Sequence, residues 1–263
     1  MPFSANEVLF WSFCLFAAVY SLGYRIIFKD WKGRHRKDAA NCGMSLLHGL
    51  VAGYLAGMDV LYTDWQFDGH NTPHQNDIMD FSISYFLMDL LTYVFVGESH
   101  EDFLFVAHHL ATVTYLISCR YYASHGAASV MCLLALGECT SPLQNVWTLA
   151  RLAREGSSMA RCVYTFLSPC FTLVFTFVRG VIGPLLAWEI GCFYLGGRAD
   201  DDAVIPQWLV CCWTFKIVFA LFGSMLWVYK LWMGLFRFDR RSIRRERSSA
   251  TDGCCDGTIN RTH

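Results

Sequence analysis

Residues 103–119 read FLFVAHHLATVTYLISC, an apolar stretch that carries two adjacent histidines in its first half. A helix needs about 17–25 mostly apolar residues to cross the roughly 30 Å hydrocarbon core of a bilayer. At a rise of about 1.5 Å per residue, the two histidines would lie about 8–9 Å inside the nearer membrane face. The stretch therefore predicts a transmembrane helix, with His108 and His109 as polar groups inside the membrane.

Six further apolar runs accompany this helix, in a chain of 263 residues of which 54% are hydrophobic and only 16% charged. They lie at Val8–Phe28, Cys42–Tyr62, Phe81–Gly97, Gly126–Ala150, Cys162–Gly197 and Trp208–Trp232. Because a soluble domain is usually about one quarter charged, the composition favours an all-α, polytopic membrane bundle of about seven helices. The first run lacks a small-residue cleavage site, which predicts a retained helix and not a signal peptide.

The run Cys162–Gly197 is too long for one straight helix, and it contains Arg179 and Pro184. Two interpretations stay open. One is a tilted helix with a kink at the proline, and the other is a span followed by a re-entrant or interfacial segment.

Basic residues concentrate in three of the segments that connect or follow the apolar runs. These segments are Lys29–Lys37, Arg151–Arg161 and Arg237–Arg247. With seven spans all three fall on one side, so the positive-inside rule predicts an N-terminus outside and a cytoplasmic C-terminus. We therefore expect a first helix with a basic loop over residues 1–40, a transmembrane domain over 41–236, and a basic, disordered cytoplasmic tail over 237–263. We expect that tail to contact anionic lipid and not nucleic acid.

Polar and ionisable residues gather at similar depths on five of the predicted spans. They are His48, Asp89, His108, His109, Glu138, Ser141, Gln144, Asn145 and Lys216. Each lies about 8–18 Å from the basic side, with Lys216 nearer the midplane. Because an ionisable group in contact with lipid costs several kcal/mol, these residues should face the bundle interior or a wet cavity. The layer predicts a functional site, although single members can also be packing, ion-pair or helix-bridging residues.

Several familiar chemistries have no signature in this sequence. There is no HxxHH arrangement, phosphate-binding loop, dinucleotide fingerprint or GxSxG elbow. His70 and His74 lie in a proline-containing loop without a clear third ligand, so we expect no metal site. We also expect no bound cofactor.

Four ordered segments together suggest a family. They are FLFVAHHLAT at 103–112, SYFLMDL at 84–90, LGECTSPLQN at 136–145 and Phe177-Val178-Arg179, with His48 upstream. This pattern resembles the TLC domain, which ceramide synthases share with several lipid-homeostasis proteins, over roughly residues 40–235. The resemblance implies a barrel of six helices plus one extra helix, opening to the cytoplasm.

The helix after the paired histidine departs from the ceramide synthase pattern. Where those enzymes have two aspartates, this chain has Glu138, Ser141 and Asn145. The departure argues against sphingoid-base N-acylation and leaves other acyl chemistry open. In such a site His108 or His109 would react with an acyl-coenzyme A substrate.

The resemblance also implies supporting roles for other residues of the layer. Asp89 and His48 would orient the reactive histidine, and Ser141 or Asn145 would stabilise an oxyanion. Glu138 and Lys216 would complete the substrate site. Arg179 is the remaining candidate there, with ion pairing or headgroup anchoring as its alternative role.

Two other functions stay open at this point. A non-catalytic protein could use the same cavity to bind, sense or present a membrane lipid. A seven-helix receptor is the less favoured alternative, because the five-residue connection Glu98–Asp102 leaves little surface for a G-protein. We expect an endoplasmic reticulum location from the resemblance, with the plasma membrane as the alternative, and a homo-oligomer stays open.

Overall fold

The computed structural model describes residues 5–63, 65–94, 100–196 and 204–255, with side-chain surroundings over 7–63, 65–93, 103–196 and 204–237. Within these ranges the backbone is helical and contains no strand. The α-helices are α1 (Ala5–Leu22), α2 (Gly33–Tyr62), α3 (Pro73–Val94), α4 (His100–Ile117), α5 (Ala127–Glu138), α6 (Ser141–Ala153), α7 (Ser158–Phe175), α8 (Gly183–Leu195) and α9 (Gln207–Cys255). Short π-helical segments at Gly23–Ile27, Ser118–Ala123 and Thr176–Ile182 extend α1, α4 and α7.

Five helical stretches of the described chain are long and apolar enough to cross a membrane. They are Glu7–Ile27, Gly33–Tyr62, Phe103–Ala123, Ser158–Leu195 and Gln207–Arg237. Helix α3 and the pair α5 and α6 pack among them, which gives seven helical units over the described residues. The predicted all-α, polytopic bundle is confirmed. Which terminus lies outside stays a prediction.

The predicted fifth span is not one helix, because α5 ends at Glu138 and α6 begins at Ser141. Pro142 occupies the first turn of α6. Proline has no N–H to donate and its ring collides with the preceding turn, so the first turn of a helix is the position where it fits best. Because the helix is broken here, carbonyl groups in the last turn of α5 have no helical N–H partner and can accept hydrogen bonds from other donors.

The long run from residue 162 is helical throughout, from Ser158 to Leu195. Its seven-residue π-helical segment lies between α7 and α8, and Pro184 falls in the first turn of α8. This arrangement corresponds to one long helix with a π-helical segment inside it and not to a re-entrant loop. Helix α9 likewise continues to Cys255, so its backbone is helical over much of the segment that the sequence predicted to be disordered.

We call the end of the bundle that carries Gly33, Arg151 and Arg237 the basic end, and the opposite end the far end. At the far end a chain of buried hydroxyls ties three helices together. The Tyr115 hydroxyl lies 2.8 Å from the Ser129 Oγ, which lies 2.9 Å from the Tyr194 hydroxyl. The interior is therefore closed at the far end by hydrogen-bonded polar groups.

The loop after α2 is fastened to the same end by Asn71, whose amide nitrogen donates to the Cys119 carbonyl at 3.0 Å. The Asn71 Oδ1 accepts from the Ala127 N–H at 2.9 Å, so one buried side chain joins two segments. Next to it, His70 and His125 form an isolated β-bridge with ring centroids 4.9 Å apart.

Candidate functional site

A cavity of about 310 Å³ lies between α4, α5, α8, α9 and the Thr176–Ile182 segment, and α2, α3, α6 and α7 contribute further wall residues. This volume is at the lower end of the range of about 300–1,000 Å³ that is typical of ligand sites. Along α9 its walls extend from Lys216 to Lys230, or about 21 Å at a rise of about 1.5 Å per residue. Toward the far end the walls are the buried Leu116 and Val130. Toward the basic end Leu104 and Lys230 are exposed, so the cavity reaches the surface there.

The paired histidine lies on α4 with both residues on the cavity wall. His109 is buried, whereas His108 is partly exposed to the cavity. Their ring centroids are 5.7 Å apart. Successive helical residues point about 100° apart, and both rings nevertheless border the cavity because it wraps around this face of α4.

Asp89 of α3 lies behind His109, with its Oδ2 3.2 Å from the histidine Nδ1. Both side chains are nearly inaccessible, at 6% exposure for the histidine and 4% for the aspartate. The approach angle does not meet hydrogen-bond geometry, so neither atom has a hydrogen-bond partner within the described residues. In catalytic sites without substrate such pairs are often long or poorly aligned.

His48 of α2 forms a second histidine–carboxylate arrangement behind the cavity. Its Nδ1 is 3.6 Å from the Glu138 Oε1, and its Nε2 is 3.1 Å from the Ser82 Oγ. The ring stacks on Tyr85 with centroids 4.1 Å apart. Since Tyr85 and Glu138 both line the cavity, His48 supports two wall residues without lining the cavity itself.

Glycines on α2 allow this close packing. A Cβ placed at Gly49 would stand 2.8 Å from the Ser141 Cβ, and one at Gly53 would stand 3.0 Å from the Glu138 Cβ. Small residues at a helix interface let the backbones approach closely. The approach of α2 therefore places the Glu138 carboxylate beside His48.

Asn145 of α6 is buried against α2 and away from the cavity lining. Its amide nitrogen donates to the Ser45 Oγ and to the Ser141 carbonyl, both at 2.9 Å. An amide nitrogen has two hydrogens, and both are used here. The oxyanion role expected for Asn145 stays a prediction, and the hydrogen bonds observed for it are structural.

Arg179 and Lys216 are the cations that the sequence assigned to the site, and both line the cavity. The Arg179 Nη2 donates to the Gly137 carbonyl at 2.6 Å, close to the break between α5 and α6. Its guanidinium carbon lies 5.6 Å from the centre of the Phe175 ring. Among the ion pairs of the described residues, none joins Lys216 to Glu138 or Glu189.

The predicted site residues divide into two groups around this one cavity. Seven of them line it: His108, His109, Glu138, Ser141, Gln144, Arg179 and Lys216. Three stand behind it: His48, Asp89 and Asn145. Tyr85 and Phe86 lie in the segment SYFLMDL, but no site role was predicted for them or for Trp227, because aromatic residues are common in every span.

The chemistry available is that of histidine, carboxylate and hydroxyl groups. Over the described residues no three His, Cys, Asp or Glu side chains are grouped to hold a metal ion. A buried histidine next to a carboxylate can act as a base or as a nucleophile, and the apolar remainder of the wall suits a hydrocarbon chain.

A family model for the TLC domain matches residues 38–233 of the chain. The chain belongs to the TLC domain family. A TLC domain-containing protein of Arabidopsis thaliana is 39% identical over 227 residues, which cover 85% of this chain and 88% of that protein. The resemblance seen in the sequence is confirmed.

In this TLC domain the matched residues run from Asp38 on α2 to Met233 on α9, with α1 preceding them. The segments that suggested the family all fall inside this range. The structure brings the paired histidine, Asp89 and the 136–145 segment to one cavity.

Proposed function

We propose that this protein transfers an acyl group from acyl-coenzyme A to a membrane lipid, with His109 as the reactive group. The coarser statement, a TLC domain membrane protein with a lipid-related role, follows from the family and from the apolar helices. The observation that carries the finer proposal is the buried Asp89–His109 pair on the wall of a mostly apolar cavity.

The position of Asp89 next to Nδ1 favours the tautomer with a proton on that nitrogen. The His109 Nε2 then keeps its lone pair. In the first step this nitrogen attacks the thioester carbonyl carbon, so that a C–N bond forms, the C–S bond breaks and coenzyme A leaves as the thiolate. The positive charge on the acylated imidazole is stabilised by the Asp89 carboxylate.

In the second step a lipid hydroxyl or amine attacks the acyl carbon, and the imidazole is released. The proton lost by the acceptor ends on the coenzyme A thiolate, which balances the reaction. Ser141 and Arg179 border the cavity and supply donors for the developing oxyanion. The opening toward the basic end suits a bulky, anionic coenzyme A that stays in water while its acyl chain enters the cavity.

The test uses the full chain in nanodiscs that contain a lipid extract, with radiolabelled oleoyl-coenzyme A as the donor. Labelled lipid and released thiol are measured together. We expect His109→Ala and Asp89→Asn each to lower transfer by about 100-fold or more. His35→Ala, at an exposed histidine of α2 near the basic end, is the matched control and should transfer as the wild type does.

The proposal fails if a folded His108→Ala/His109→Ala variant transfers acyl groups at the wild-type rate. Lipid mass spectrometry on cells that lack the protein extends the test to the organelle and the acceptor. An acyl-lipid class that falls, and returns only with the wild type, would identify the product. We propose the endoplasmic reticulum as the site of action.

The second candidate is a non-catalytic lipid-binding or sensing protein. The observation that favours it is the hydrocarbon character of most of the cavity wall, which suits lipid binding without chemistry. In this case the nanodisc assay would give neither labelled lipid nor released thiol, and in cells rescue by the double alanine variant would equal rescue by the wild type.

A further inference from the structure

Two histidines at the far end lie opposite each other, outside the cavity. His70 belongs to the loop between α2 and α3, and His125 to the loop between the Ser118–Ala123 segment and α5. They form an antiparallel bridge that is flanked by two backbone hydrogen bonds of 3.0 Å. These bonds run from the Asn71 N–H to the Ser124 carbonyl and from the Gly126 N–H to the Gly69 carbonyl.

This bridge places both imidazoles on the same face of the two loops. With the hydrogen bonds on the flanking residues, His70 and His125 are a non-hydrogen-bonded antiparallel pair, the type in which opposite side chains approach most closely. The side chain of Asn71 fixes the same loops through its bonds to the Cys119 carbonyl and the Ala127 N–H. The two rings are therefore held together by the backbone and not by their own contact.

Hydrogen bonds to the backbone also fix the tautomer of both rings. The His70 Nδ1 lies 2.9 Å from the Asn71 carbonyl oxygen. The His125 Nδ1 lies 2.9 Å from the Ala123 carbonyl oxygen. Because a carbonyl can only accept, each Nδ1 carries the proton, and each neutral ring keeps its lone pair on Nε2. Histidines that bind metal ions have this arrangement, with the second ring nitrogen donating to a carbonyl or carboxylate.

The separation and the exposure of the rings suit one shared ion. A zinc ion binds an imidazole nitrogen at about 2.0–2.1 Å, which places the centres of two rings on one tetrahedral ion about 5 Å apart. The observed distance between the ring centroids is 4.9 Å. His70 is exposed and His125 is partly exposed, so an ion can reach the pair from the aqueous phase.

We propose that His70 and His125 bind one divalent transition-metal ion, Zn²⁺ or Cu²⁺, at the far end. Imidazole suits these ions, whereas Ca²⁺ and Mg²⁺ prefer oxygen ligands. Since no third His, Cys, Asp or Glu joins the pair within the described residues, water completes the coordination. The sequence had paired His70 with His74 of its own loop, but the structure supplies the second nitrogen from another loop.

A bound ion would join the loop before α3 to the loop before α5, and would so stabilise the closed end of the bundle. The site goes beyond the proposed acyl transfer and does not depend on it, because neither histidine borders the cavity.

The test is isothermal titration of the untagged full chain in detergent with ZnCl₂ and with CuCl₂. It is carried out at about pH 7.5, where an ordinary histidine is mostly neutral. Partners in the outer shell alone are worth about 10–100-fold in metal affinity, so removing a direct ligand should weaken binding by at least about 10-fold. We expect this loss in His70→Ala and in His125→Ala. His74→Ala, at an exposed histidine of the same end, is the matched control and should bind as the wild type does.

Thermal unfolding of the same samples gives a second readout. An ion that binds the native state raises the unfolding temperature. Zn²⁺ should therefore stabilise the wild type and His74→Ala more than His70→Ala or His125→Ala. Weak binding at cysteines or other histidines is common to all four samples and cancels in this comparison. CaCl₂ should stabilise none of them.

The proposal is overturned if both His70→Ala and His125→Ala bind Zn²⁺ and Cu²⁺ with the wild-type affinity, or if His74→Ala weakens binding by the same factor. Calcium binding that is lost in the same two variants would refute a transition-metal site. If His125→Ala is unfolded, the exposed His70→Ala still decides. The outcome of the acyl-transfer assay does not enter this test.

Discussion

Replacing Gly49 with alanine tests the closest helix contact behind the site. A Cβ at this position would lie 2.8 Å from the Ser141 Cβ and 3.2 Å from the Glu138 Oε2. Ordinary van der Waals contact begins at 3.4 Å, so α2 and α6 must separate by about 0.6 Å. Because the Ser141 Cβ is attached directly to the helix backbone, no flexible side chain can absorb this shift.

Introducing one methyl group into a well-packed interior typically costs about 1–3 kcal/mol. The higher helix propensity of alanine stabilises a helix by as much as about 1 kcal/mol relative to glycine, and this gain offsets part of the steric cost. Gly57→Ala is the matched control, because it lies on the same helix and a Cβ there has nothing within 4 Å. We expect Gly57→Ala to be as stable as the wild type or more so, and Gly49→Ala to be less stable by about 1–2 kcal/mol.

The assay is thermal unfolding of the purified chain in one detergent, with acyl transfer measured on the same samples. Ser141→Gly removes the atom that collides, so the double variant Gly49→Ala/Ser141→Gly should recover stability relative to Gly49→Ala alone. The reasoning is refuted if Gly49→Ala and Gly57→Ala unfold at the same temperature, or if the double variant shows no recovery.

Two further predictions concern the far end. Asn71→Ala removes the hydrogen bonds to the Cys119 carbonyl and to the Ala127 N–H. Because both backbone groups are then buried without a partner, the free energy of unfolding should fall by about 2–4 kcal/mol. The control is Asp68→Ala, at an exposed position, which should leave the stability unchanged. Gly126→Ala places a Cβ 2.9 Å from the Trp213 ring at a φ of +94°, and should also cost about 2–4 kcal/mol. The matched control is Gly191→Ala, because a Cβ at Gly191 would have no atom within 4 Å. If Gly126→Ala and Gly191→Ala unfold at the same temperature, the steric argument is wrong.

The helices of this fold could be predicted because hydrocarbon thickness sets their length. The breaks inside them were not predicted, and a proline alone does not mark a break, because Pro169 lies inside α7 without ending it. Pro142 lies within the predicted span Gly126–Ala150 and accounts for the break at residues 139 and 140. The π-helical segments at Gly23–Ile27 and Ser118–Ala123 carry no proline and no pattern that distinguishes them from α-helix.

The depth of polar residues predicted which helices would border the site, since depth follows from position along a helix. Depth alone does not give the direction of a side chain. His48 and His109 were placed at similar depths, yet one stands behind the wall and the other on it. Trp227 also borders the cavity, and nothing in the sequence distinguishes it from the other tryptophans of the predicted spans.

Polar side chains inside a membrane protein differ in whether other protein groups already satisfy all of their hydrogen bonds. On α6, the Asn145 amide hydrogens are both used, so this residue holds α2 and α6 together. Arg179 and Trp227 keep buried donors that nothing in the described chain accepts. Unlike Asn145, Arg179 borders the cavity while its Nη2 donates to the Gly137 carbonyl, so it both closes the break between α5 and α6 and forms part of the cavity wall. Substitutions at the polar residues that line the cavity should therefore change acyl transfer, whereas Asn145→Ala should mainly lower stability, because the Asn145 hydrogen bonds join α2 to α6.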